Sequence, residues 1–89
     1  MRAIWKFPLE VTDEQRIEMP EAADILCVQV QGGVPCLWAA VIPDAAKVKR
    51  TVAVYGTGHP MKTRQADKYV GTFQLQGGAL VFHVFIDER

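Results

Sequence analysis

Apolar and polar residues alternate with a period of two along most of the chain, the mark of half-buried β-strands rather than helices. Ala3, Trp5, Phe7, Leu9 and Val11 are interleaved with Lys6, Pro8, Glu10 and Thr12. Pro8 places this first strand at an edge or marks a bend, because proline cannot donate to a sheet ladder. A polar turn follows at residues 12–15, and Ile17 with Met19 continues the alternation, so the pattern predicts a first hairpin. Residues 20–23 have room for one helical turn.

Residues 25–31 and 34–42 are β-rich runs separated by Gly32-Gly33, a strong signal for a tight hairpin, since primed turns need positive φ. With those glycines as the two loop residues, Gln31 faces Val34, Gln29 faces Cys36 and Cys27 faces Trp38. The cysteines are then diagonal neighbours, roughly 7–8 Å apart, too far for a relaxed disulfide, and are expected to be buried free thiols. Cys36 to Ile42 contains no polar side chain, as a central strand covered on both faces requires. Residues 43–46 break the run, and residues 48–55 alternate again. After Gly56-Thr57-Gly58-His59-Pro60, residues 61–67 read as a polar loop or short helix. Gln29-Val30-Gln31-Gly32-Gly33 recurs as Gln74-Leu75-Gln76-Gly77-Gly78, so a similar hairpin closes the chain; two copies are too few for a solenoid. The expectation is one domain over residues 1–89, mostly β. It should be a compact antiparallel β-sandwich or open barrel of about seven short strands, with at most one or two short helical turns.

The 89 residues are 49% hydrophobic and 22% charged, too apolar for a disordered segment. The longest apolar run is far short of the roughly 18 residues of a membrane span, and the first residues offer no clean signal-peptide core. A soluble cytoplasmic protein with no membrane partner is expected. A domain this small buries only a little over ~60% of its unfolded surface, so modest stability, or reinforcement as a homo-oligomer (dimer or tetramer), is expected. An exposed strand edge is a ready route to such association. The formal net charge is zero, which disfavours long nucleic acids. Yet residues 1–44 hold seven acids and three bases, and residues 45–86 hold six bases and one acid. If the fold separates these halves, one face attracts anions; if strands interleave, the charges mix.

No serine occurs, which removes serine hydrolases, and two Cys with two His, all scattered, give no zinc spacing. Glu10, Asp13, Glu14 and Glu18 read as a solvated acidic face, and His83 as a partly buried structural histidine. With no recognisable nucleophile and base, the chain is read as a non-enzyme without metal or cofactor. The informative segment is Tyr55-Gly56-Thr57-Gly58-His59-Pro60-Met61-Lys62-Thr63-Arg64. Two glycines around a threonine after a strand can turn backbone N–H groups toward one anion. Thr57 adds a hydroxyl, His59 a ring N–H, Lys62 and Arg64 positive charge, and Tyr55 a stacking face. The same glycines also serve a plain tight turn, and the segment is neither a P-loop nor a Rossmann fingerprint.

Trp5-Lys-Phe-Pro-Leu, Thr12-Asp-Glu-Gln, Ile17-Glu-Met-Pro, Ile25-Leu-Cys-Val-Gln, Cys36-Leu-Trp-Ala, Tyr55-Gly-Thr-Gly-His-Pro and Tyr69-Val-Gly-Thr-Phe-Gln together resemble a family of small phage and prophage proteins that mostly lack an assigned function. The resemblance spans nearly the whole chain. It implies a stand-alone, virus-encoded protein of the host cytoplasm, in a group of small phage proteins that includes sponges for the cyclic nucleotide signals of bacterial immunity. It carries no catalytic residue. The leading expectation is therefore a non-enzymatic binder of a small anionic ligand, a cyclic dinucleotide by preference, through Tyr55, Gly56, Thr57, Gly58, His59, Lys62 and Arg64. The alternative is a protein-interaction module that engages a host or virion protein through an exposed strand edge or the acidic first hairpin.

Overall fold

A computed structural model describes residues 1–62 and 67–87. The alternating segments form seven strands: β1 (Ala3–Pro8), β2 (Glu14–Pro20), β3 (Asp24–Gln31), β4 (Val34–Val41), β5 (Lys47–Gly56), β6 (Lys68–Leu75) and β7 (Leu80–Ile86). A 3-10 turn over Gln76–Gly78 is the one helical element among the described residues. The strands make two antiparallel sheets, β1-β4-β3 and β2-β5-β7-β6. The expected mostly-β fold of seven strands is thus observed, and of the sandwich and open barrel allowed for, the two sheets make the sandwich, a slab of 39 × 31 × 15 Å. No helix is long and apolar enough to cross a membrane among the described residues.

Each strand contributes side chains to the packing between the sheets, by alternation in most and by an unbroken apolar run in β4. Leu37, Ala39 and Val41 of β4 and Val28 of β3 meet Met19, Val52, Val54, Phe73, Val84 and Ile86 of the larger sheet. Trp5, Phe7, Ile17 and Phe82 pack around this centre. The sheets approach closest where β3 runs against β6. A Cβ on Gly71 would stand 2.9 Å from Val28 Cγ1, so glycine is what lets the two backbones come together.

β1 and β2 do not form the expected hairpin. β1 pairs with β4, from Ala3 opposite Val41 to Pro8 opposite Cys36, while β2 pairs with β5. Residues 9–13 carry the chain from one sheet to the other and are tied at both ends. Leu9 N–H donates to Pro35 O (2.8 Å) in the smaller sheet, and Asp13 O accepts from Val54 N–H (3.2 Å) in the larger. The side-chain amide of Gln15 braces the crossing by bonding both backbone groups of Glu10. Pro8 does lie on an edge strand, and β4 is the central strand of its sheet, as expected.

The Gly32-Gly33 turn has φ of 57° and 80°, both left-handed as a two-residue primed turn demands. The resulting register places Gln31 opposite Val34, Gln29 opposite Cys36 and Cys27 opposite Trp38, and both cysteines are free thiols, Cys36 buried and Cys27 partly so. The second Gly-Gly pair repeats these angles, at 66° and 94°, but Gln76 also adopts φ 53°, so the β6–β7 ladder stops at Leu75 opposite Leu80. Residues 21–23 make a turn with Ala22 at φ 60° instead of the helical turn allowed for. The short helix considered for residues 61–67 lies largely outside the described residues.

The acidic and basic parts of the chain interleave. β2, with Glu14 and Glu18, lies against β5, with Lys49 opposite Glu18, so the sequence asymmetry does not become two separated faces at this pairing.

Candidate functional site

The larger sheet has an outer face, turned away from the core, and the segment after β5 folds back onto it. Lys62 N–H donates to the Tyr55 hydroxyl at 3.1 Å, which draws the 57–62 loop over the strand it has just left. Between loop and sheet lies a cleft of about 320 Å³. The loop contributes Thr57, Gly58, His59 and Met61 to it; Tyr55, Gly56, His83 and Phe85 come from the strands. Five residues picked out from sequence, Tyr55, Gly56, Thr57, Gly58 and His59, therefore surround one space. Lys62 is tied to it through its backbone, and Arg64 lies outside the described residues.

The roles differ from those expected. Thr57 N–H donates to Val81 O (3.1 Å) and His59 N–H to Gly56 O (3.0 Å), so two of the amides proposed for an anion nest are already used inside the fold. Gly58, at φ 85°, sits in the left-handed region that the turn requires. Tyr55 is 7% exposed and meets Phe85 edge-on with ring centroids 6.0 Å apart, so its face is packed away and not open to a base. Gly56 serves a local purpose: a Cβ there would lie 2.8 Å from His59 Nδ1, and the missing side chain is the seat of the His59 ring.

What the sequence did not reveal is a chain of side-chain hydrogen bonds beside the cleft. His83 stands opposite Tyr55 on one side and Thr72 on the other. Its Nε2 is 2.7 Å from Thr57 Oγ1 and its Nδ1 is 2.9 Å from Thr72 Oγ1. Thr72 Oγ1 is in turn 2.5 Å from the Tyr69 hydroxyl. This last contact depends on a bulge. Tyr69 pairs with Phe85 but Gly71 with Val84, so Val70 is an extra residue, and Tyr69 and Thr72 share a face despite being three apart. Both imidazole nitrogens are thereby engaged by hydroxyls within the fold, as suits the partly buried structural histidine expected at this position. Among the described residues no cluster of three metal-ligating side chains occurs.

At the opposite end of the sheet Arg50 forms a buried pair with Asp87, Nε to Oδ1 at 3.2 Å, with both side chains about nine-tenths buried. Its remaining nitrogens donate to Ala23 O and Asp87 O, and Thr51 N–H donates to the second carboxylate oxygen. This base is held in the architecture by a hydrogen bond from each of its three nitrogens.

No curated protein and no solved structure matches the chain. A family model described as a domain of unknown function (DUF7352) matches residues 1–89, and the protein belongs to that family.

Proposed function

We propose that this protein is a non-enzymatic binding protein that holds a small anionic ligand, with a cyclic nucleotide as the preferred class, in the cleft between the 56–61 loop and strands β5 and β7. The observation that carries the reading is the convergence of His59, His83 and Thr57 on one small space with an aromatic wall, Phe85. An imidazole suits phosphate oxygens, and His59 supplies one outside the Thr57–His83–Thr72 hydrogen-bond chain, while a site with few cations suits a ligand with few phosphates. In the setting implied by the likeness to phage proteins, the protein would act in the host cytoplasm by mass action, sequestering a nucleotide signal of immunity, and self-association would multiply the sites per particle.

Isothermal titration against a panel of cyclic mono- and dinucleotides tests this. Binding that falls in Thr57→Ala, His59→Ala and Arg64→Ala supports it; no heat with any member, or affinity indifferent to all three substitutions, overturns it.

One observation favours the interaction-module reading. β2 is an edge strand of the larger sheet and displays Glu14, Arg16 and Glu18 on its exposed side. A protein partner captured without nucleotide, and lost on Glu14→Lys with Glu18→Lys, would select that reading over the first.

A further inference from the structure

The outer face of the larger sheet changes character across its width. At the β2 side it carries charges; at the β6–β7 side it carries Tyr69, Thr72, His83 and Phe85. Tyr69 is the most exposed aromatic there, at 54%, yet it is held at two points. Its hydroxyl bonds Thr72, and its ring lies 5.5 Å from that of Phe85 at an interplanar angle of 60°. A ring fixed in place with an open side loses little conformational entropy when something stacks on it.

The hydrogen bonds next to that ring form a line from Tyr69 through Thr72 and His83 to Thr57. Either hydroxyl of the Tyr69–Thr72 pair can donate, and the direction through His83 follows its tautomer; in both directions the line anchors the Tyr69 hydroxyl to the sheet.

We propose that Tyr69 is a stacking platform for a planar heteroaromatic ring, such as a nucleobase presents. The inference rests on the reading of the neighbouring cleft as the seat of the ligand's anionic part, and it moves the stacking role from Tyr55 to Tyr69. Aromatic platforms of this kind accept bases on any π-face, and nearby hydrogen bonds add selectivity.

The test is an NMR titration, able to follow millimolar affinities, with AMP, purine riboside 5′-phosphate, which lacks the amino group, and ribose 5-phosphate, which lacks the ring. AMP and purine riboside 5′-phosphate are both expected to bind more tightly than ribose 5-phosphate. Tyr69→Ala and Tyr69→Leu should weaken AMP about 10- to 100-fold, leave ribose 5-phosphate unchanged, and keep the native amide spectrum, while Tyr69→Phe retains most of the affinity. If AMP and ribose 5-phosphate bind alike and Tyr69→Ala alters neither, the platform is overturned while the anionic cleft stands. If none of the three probes and no cyclic nucleotide binds, both readings fall.

Discussion

Thr57 Oγ1 and His83 Nε2 are 2.7 Å apart although 26 residues separate them in the chain. The contact exists because β7 inserts between β5 and β6, which sets His83 opposite Tyr55 and brings the first loop residue after β5 alongside it. It joins the one loop singled out by sequence to a histidine that sequence alone gave no reason to link with it.

That contact predicts energetic coupling. Thr57→Val and His83→Ala each remove one side of the same bond, so their effects should not add. The double variant should be about as stable as His83→Ala alone, with an interaction energy of roughly 0.5–3 kcal/mol in urea denaturation. Additive losses would mean that the two side chains act independently.

The Arg50–Asp87 pair is a different kind of polar contact, buried and with each guanidinium nitrogen donating within the fold. Removing one partner leaves the other charge stranded away from water. Asp87→Ala should cost about 3–5 kcal/mol, and Arg50→Ala a similar amount, measured as a shift of the denaturation midpoint at constant slope. A change under 1 kcal/mol in both, on the order of an exposed surface pair, would contradict the burial described.

Gly71 is required for space. Its φ is not among the positive values, so alanine there meets no backbone strain, only Val28 Cγ1 at 2.9 Å. Gly71→Ala should destabilise by about 1–3 kcal/mol, and the penalty should shrink when the same substitution is made on a Val28→Ala background, read by thermal unfolding of the four proteins.

Gly56 contrasts with Gly71, because the atom in the way belongs to a side chain on a surface loop. Gly56→Ala should leave stability nearly unchanged and displace the His59 ring, visible as a shift of the His59 imidazole resonances and a loss of nucleotide affinity. An unmoved His59 resonance would show that the ring does not occupy the space over Gly56.

The parts of this fold that were legible in the sequence are those fixed by local chemistry. Two glycines in a two-residue turn fix the register of β3 on β4, which is why Cys27 and Trp38 could be paired in advance. Alternation likewise showed which face of β1 and β2 is buried, whereas β4 is an unbroken apolar run and β5 buries both faces over Val52–Tyr55. Alternation could not show which strand lies beside which, and the hairpin expected from residues 3–19 failed for that reason: Trp5 and Met19 face the same core, but from opposite sheets. The site divides in the same way. The glycine-rich loop announced itself, whereas His83, Thr72 and Tyr69 join it through pairings across the sheet and a bulge at Val70, and no short motif records either.

The order of strands also sets how the chain can assemble. The β3–β4 and β6–β7 hairpins close short loops, one in each sheet, and so pay the least chain entropy. β1, β2 and β5 have no partner adjacent in sequence: β1 must find β4, β5 must find β7, and β2 has only β5. The cleft, which needs β5 docked on β7 before its loop can fold back, is therefore expected among the last features to form, a space assembled only once the two local hairpins have become a single molecule.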